Sequence, residues 1–130
     1  VLDLDHFKDV NDQLGHLVGD RLLKEIGTRI AGILRHNDTV ARLGGDEFVV
    51  LLSGLDRSEY AAGVAKVILK SFQKPFILAD REIVSNASIG IAVYPDDGGD
   101  EESLLRKSDM AMYAVKTQGR NNYKFFSEMA

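Results

Sequence analysis

Leu22, Leu23, Ile26, Ile30, Ile33 and Leu34 recur in steps of three and four, so one side of a helix is apolar and must be covered by another layer. Candidates for that layer flank it in sequence. Residues 1–4 are apolar apart from Asp3, which alternation places on the strand face opposite Leu2 and Leu4. Residues 39–43 and 47–52 form two further strand-like runs, parted by Gly44-Gly45 as in a tight hairpin. We expect that turn to lie between two central strands. Asp20, just before the stripe, suits the electropositive first turn of a helix. Farther on, Tyr60, Ala61, Val64, Ala65, Val67 and Ile68 predict a second helix. Pro75 and the Ala79-Asp80-Arg81 turn mark an extra β-hairpin before a strand over 87–94. Leu104, Leu105, Met112 and Val115 predict a third helix ending near Gly119, and 123–126 a last strand. This order predicts an α+β fold, a mainly antiparallel sheet with flanking helices.

The chain has 130 residues, 45% of them hydrophobic, enough for one core and too few for two domains. Its formal net charge of −4 argues against a nucleic-acid partner, because a phosphate backbone selects strongly basic surfaces. A few local cations still suffice for a single nucleotide. Without cysteine there are no disulfides and no thiolate metal sites, which suits a reducing compartment. The longest apolar run, Phe48 to Leu52, falls far short of the roughly 20 residues of a membrane span. We therefore expect a soluble piece with no membrane contact. It starts at Val1, inside a strand-like run, and reads as part of a larger protein.

Charge stands where a buried sheet gives no reason for it: Asp3 and Asp5 in and after the first strand, and Asp46-Glu47 just past the glycine turn. In a βαββ unit the first strand lies beside the hairpin, so Asp3 and Asp46 are expected to converge at one sheet edge. There they would offer hard oxygens to Mg²⁺, with the carbonyl of Leu4 as a further ligand. Read one at a time, these are ordinary strand-end and turn carboxylates. Locally, Asn11-Asp12 read as turn residues, His16 as a loop histidine, and Lys116 and Arg120 as cations at a helix C-terminus.

Arg42-Leu43-Gly44-Gly45-Asp46-Glu47-Phe48 contains the G-G-D-E-F signature. It is joined by Asp3-Leu4-Asp5-His6-Phe7-Lys8, Asn11-Asp12, Gly15-His16-Leu17-Val18-Gly19-Asp20 and Lys116-Thr117-Gln118-Gly119-Arg120-Asn121. In order and spacing these resemble the GGDEF family of diguanylate cyclases, bacterial second-messenger enzymes, nearly from end to end. The resemblance implies a ferredoxin-like βαββαβ core similar to the palm of adenylyl cyclases and polymerases, with residues 1–130 as one domain. It also implies that two GTP molecules are joined into cyclic di-GMP across a homodimer.

Residue by residue, the resemblance implies that Asp3, Asp46 and the Leu4 carbonyl hold Mg²⁺, with Mn²⁺ as an alternative ion. Glu47 either takes the proton from a ribose 3′-hydroxyl or serves as a further metal ligand, and water is another candidate base. Asn11, His16 and Asp20 resemble the guanine-recognition set. Lys8, Lys116 and Arg120 resemble the cations that grip the triphosphate and stabilise transfer. Gly44 and Gly45 admit the phosphates to the backbone. Arg35 and Asp38, in Arg35-His36-Asn37-Asp38, match an inhibitory site for the product.

The sequence departs from the family in two places. Lys66 and Lys70 stand where a second inhibitory arginine is expected, and lysine lacks arginine's planar fork. The family's usual opening helix and D-x-L-T-G-L-x-N-R segment are not in this sequence. Residues 123–129 resemble the junction to a phosphodiesterase EAL domain, so fused sensory and EAL domains are expected in a cytoplasmic, or membrane-anchored, parent. The competing function is a GTP or cyclic di-GMP sensing module that regulates such a phosphodiesterase.

Overall fold

A computed structural model describes residues 1–54 and 57–129. The elements run β1 (Leu2–Asp5), α1 (Phe7–Leu14), α2 (His16–Ile33), β2 (Thr39–Gly44), β3 (Glu47–Leu51), α3 (Glu59–Ser71), β4 (Phe76–Leu78), β5 (Arg81–Ile83), β6 (Asn86–Ile91), α4 (Glu101–Thr117) and β7 (Asn122–Phe125). A short 3-10 turn, Phe126–Glu128, follows. The main sheet has the order β2-β3-β1-β6-β7, antiparallel throughout except for the parallel β6–β7 pair. Strands β4 and β5 form the separate hairpin expected around Ala79-Asp80. The α+β architecture and the ferredoxin-like strand order agree with the expectation.

Alternation along the strands divides the two faces. Leu2, Leu4, Phe48, Ala87 and Ile89 are buried against the α2 stripe of Leu22, Leu23, Ile26 and Ile30 and against Ala65, Ile68 and Phe72 at α3. Fully burying one such large side chain stabilises the fold by about 1.5–3 kcal/mol. On the opposite face lies α4, which buries Ser108, Ala111, Met112 and Val115. It comes down on Gly90, where even a β-carbon would run into the backbone of Ser108 and Met112.

The structure corrects several expectations. The hairpin turn does not join two central strands, because β2 is the sheet edge, as its mostly exposed residues permit. Strand β1 is the middle strand, so Asp3 stands beside Glu47 of β3 within the sheet and not at its edge. Helix α1 is an additional element: Phe7, Val10 and Leu14 pack against the core at helical spacing, so Asn11 and Asp12 are helical and not in a turn. Helix α2 starts before the apolar stripe, at His16. The strand expected over 87–94 stops at Ile91, because the following backbone closes on Asp97. Its carboxylate accepts the Val93 N–H at 2.7 Å, and its own N–H donates to the Val93 carbonyl at 2.8 Å.

Candidate active site

Asp3 and Asp5 share the face of β1 that looks toward α4, opposite the buried Leu2 and Leu4. Lys116, in the last turn of α4, lays its ammonium across them. Its Nζ stands 2.9 Å from Asp3 Oδ1 and 3.1 Å from Asp5 Oδ1, and it donates to the Leu4 carbonyl at 3.4 Å. Asp5 is also fixed by the Ser88 hydroxyl, which donates to Oδ1 at 2.7 Å, and by the Asn121 N–H, which donates to Oδ2 at 3.0 Å. Burial pushes the Asp3 carboxyl above the usual range. The hydrogen bond from Lys116 opposes that push, and the carboxylates of Asp46 and Asp5 add to it. Burial disfavours the charged form of Lys116, but its bonds to Asp3 and Asp5 prevail and hold its pKa above the ordinary lysine value.

The glycine turn is brought to this place by backbone pairing. Asp3 pairs with Glu47 across β1 and β3, and the Leu4 N–H donates to the Asp46 carbonyl at 3.1 Å. Gly45 takes φ +53°, which a side chain resists, and open space surrounds the positions where β-carbons of Gly44 and Gly45 would stand. Glu47 is half-buried, and burial raises its carboxyl pKa, followed by the negative charges of Asp109 and Asp3. Among the described residues, no three His, Cys, Asp or Glu side chains come together as a ready-made metal centre. Asp3, the nearby Asp46 and the Leu4 carbonyl fit a hard cation that takes its remaining ligands from phosphates and water.

Beside this cluster, α1 and α2 fold back on each other through Gly15. Asn11 packs against Gly19, where an added β-carbon would strike the Asn11 amide and come 3.2 Å from the Phe7 ring. Asn11 Oδ1 is buried with no hydrogen-bond partner among the described residues. Such an orphan is uncommon in a folded chain. Asp20 follows Gly19 directly and is exposed, as are His16 at the start of α2 and Lys8 in the first turn of α1. Arg120 is exposed in the left-handed turn after α4, at φ 65°.

Arg35 and Asp38 lie elsewhere, in the loop between α2 and β2. The length of β2 separates them from the glycine turn by roughly 20 Å. Their side chains bind each other in two places and also tie down Ser53 after β3. Lys66 and Lys70 lie on α3. Sequence reasoning assigned no role to Asp5, Gly19 or Asp109. Alternation along β1 held the signal for Asp5, which must share the face of Asp3.

The family model described as "Diguanylate cyclase, GGDEF domain" matches residues 1–122, and the chain belongs to the GGDEF family. It is 47% identical over 96% of its length to the bifunctional diguanylate cyclase/cyclic di-GMP phosphodiesterase MucR of Pseudomonas aeruginosa, of which it covers 18%. It is 48% identical over 93% of its length to diguanylate cyclase TpbB of the same species, of which it covers 28%. The crystal structure of the TpbB GGDEF domain superposes with a TM-score of 0.93 at 45% identity, over 95% of this chain and 78% of that one. An EAL/GGDEF domain protein from M. capsulatus gives 0.91 at 52% identity, over 96% and 81%. The chain thus spans less than a third of these full-length relatives. No described helix is long and apolar enough to cross a membrane.

Proposed function

We propose that this domain is half of a diguanylate cyclase: it binds one GTP with Mg²⁺ and reacts facing a second copy that carries another. The observation that carries this reading is the Lys116 ammonium held across Asp3 and Asp5, on the strand that pairs at Asp3 with Glu47 of the glycine turn. So much half-buried charge serves no core and suits a cation and a triphosphate.

In this reading Asp3, Asp46 and the Leu4 carbonyl hold Mg²⁺ or Mn²⁺, which when bound stabilises charge developing on the phosphates. Lys8, Lys116 and Arg120 grip the triphosphate, and the open Gly44-Gly45 turn lets it approach the backbone. Asn11, with its unpartnered oxygen, reads the guanine together with His16 and Asp20. The 3′ oxygen of each GTP attacks the α-phosphorus of the other. A P–O bond forms, the bond from that phosphorus to the bridging oxygen of the β-phosphate breaks, and pyrophosphate leaves. The proton of the 3′-hydroxyl passes to Glu47 or to water. Two such attacks give cyclic di-GMP, which then inhibits through Arg35 and Asp38. The parent protein carries sensory and EAL domains, and the catalytic domain works in the cytoplasm.

A sensing module that regulates a phosphodiesterase is the second reading, favoured by relatives named only as cyclic di-GMP phosphodiesterases, NbdA of Pseudomonas aeruginosa and PdeR of Escherichia coli. Incubation of the chain with GTP and Mg²⁺ over a range of protein concentrations, followed by nucleotide separation, decides between them. Cyclic di-GMP and pyrophosphate are expected, at a rate rising more than linearly while dimers are scarce. Binding of GTP with no product at any concentration would leave the sensor.

A further inference from the structure

Lys116 is paired with the same oxygens that the proposed metal site requires. Its ammonium stands 2.9 Å from Asp3 Oδ1 and 3.4 Å from the Leu4 carbonyl. Two cations cannot crowd those oxygens at full strength, since like charges a few ångströms apart repel strongly in a half-buried site. The two carboxylates that hold the lysine are not equivalent. Asp5 is committed on both oxygens, to Ser88 and Asn121, and its side chain is 2% exposed. Asp3 has no hydrogen-bond donor but Lys116 among the described residues, and its side chain is 18% exposed. One end of this three-membered cluster is therefore fixed and the other exchangeable.

We propose that Lys116 is a resident counter-ion that competes with the divalent cation for Asp3. For the cation to bind, the ammonium must release Asp3 and the Leu4 carbonyl while Asp5 retains it nearby, and the phosphates of the nucleotide then become its next partner. This inference rests on the metal role proposed for Asp3. It makes the cation and the nucleotide mutually dependent: a triphosphate that draws Lys116 away strengthens cation binding, and the cation strengthens nucleotide binding by the same factor. Without nucleotide the domain holds a divalent cation weakly. Asp5, which touches no substrate in this scheme, is a positioning residue that keeps the ammonium within reach.

The test is a titration of Mn²⁺ alone, without nucleotide, into the chain and into Lys116→Met, with free Mn²⁺ read by electron paramagnetic resonance. The variant is expected to bind Mn²⁺ roughly tenfold or more tightly, within the usual range of coupling between sites. Equal or weaker binding by a folded variant overturns the proposal. Because Lys116→Met leaves two carboxylates without their cation and can fail to fold, a second measurement uses the unaltered chain. Mg²⁺ added alone is expected to shift the ¹⁵N resonance of Lys116 Nζ together with the carboxylate ¹³C resonance of Asp3. An unmoved Nζ signal beside a responding Asp3 overturns the proposal and leaves the metal site standing. If Asp3→Asn binds Mn²⁺ as well as the unaltered chain does, the metal role of Asp3 fails and the counter-ion proposal fails with it.

Discussion

Arg35 grips Asp38 through Nε at 3.1 Å and Nη2 at 3.3 Å, and Asp38 spends its remaining acceptor capacity on the backbone N–H groups of Arg35 and Ser53. The pair clamps the loop between α2 and β2 onto the end of β3. The guanidinium also lies over the Tyr60 ring at 4.3 Å, yet the Arg35 side chain stays 46% exposed. In the proposed product site, then, Arg35 is the accessible member and Asp38 its brace. Calorimetry should show that Arg35→Ala loses cyclic di-GMP affinity while GTP affinity is unchanged. Equal product affinity in both proteins would remove the site.

The same clamp has an acid signature. The side-chain hydrogen bond from Arg35 is the main cause holding the Asp38 carboxyl below its ordinary value of 3.8. A depressed folded pKa gives stability that is fully present above the ordinary value and is lost as pH falls through the folded one. Thermal melts in acid should therefore show the unaltered chain losing its advantage over Asp38→Asn below about pH 4. A constant difference down to the lowest pH would deny the clamp any part in acid stability.

Glu47 carries the opposite sign. Burial first, then Asp109 and Asp3, raise its folded pKa above 4.5. Its contribution is fully present below the ordinary carboxylate value and is lost as pH rises through the folded value, where an uncompensated charge must be kept half-buried. With divalent ions chelated, Glu47→Gln should melt higher than the unaltered chain at pH 8 and level with it in acid. That variant should also turn over GTP more slowly. A lower melting temperature at pH 8 would count against the sign.

Asp46 contributes to the fold through its backbone, since its carbonyl accepts the Leu4 N–H. Asp46→Ala keeps that bond, so its melting temperature should stay near normal while turnover falls on the order of 100-fold or more, the scale of removing one charge-stabilising group. Near-normal rates in Mg²⁺ would take Asp46 out of the metal site.

At Gly19, a methyl group would strike the Asn11 amide, which ends a side chain and can swing aside. Alanine also favours a helix by about 1 kcal/mol over glycine. Gly19→Ala should therefore leave stability nearly unchanged and weaken GTP binding several-fold by moving Asn11. Loss of stability with unchanged GTP affinity would make Asn11 a packing residue only.

Much of this arrangement was legible in the chain, for physical reasons that differ by element. The stripe of α2 and the glycine turn were readable because one helix face and one tight turn each impose their own pattern. The charges of Asp3 and the Asp46-Glu47 turn stood out against apolar strands. Helix α1 was not recognised, since its apolar residues are only Phe7, Val10 and Leu14 and its polar residues resemble a loop. Strand order was the other gap: that β1 is central and β2 an edge depends on pairings across long stretches of chain, which local composition does not encode. For Lys116, a helix C-terminus explained the charge well enough to hide its bonds to β1.

Gly90 supplies the fulcrum of a short lever. Lys116 sits one helical turn past Met112, the residue whose backbone crowds Gly90, so its Cα lies about 6 Å along the axis from the pivot. A tilt of roughly 10° about that pivot moves the last turn of α4 by about 1 Å, a misplacement of the size that costs catalysis dearly. The missing side chain on β6 thus calibrates the height at which the ammonium rides over Asp3, and a single methyl group there would reset it.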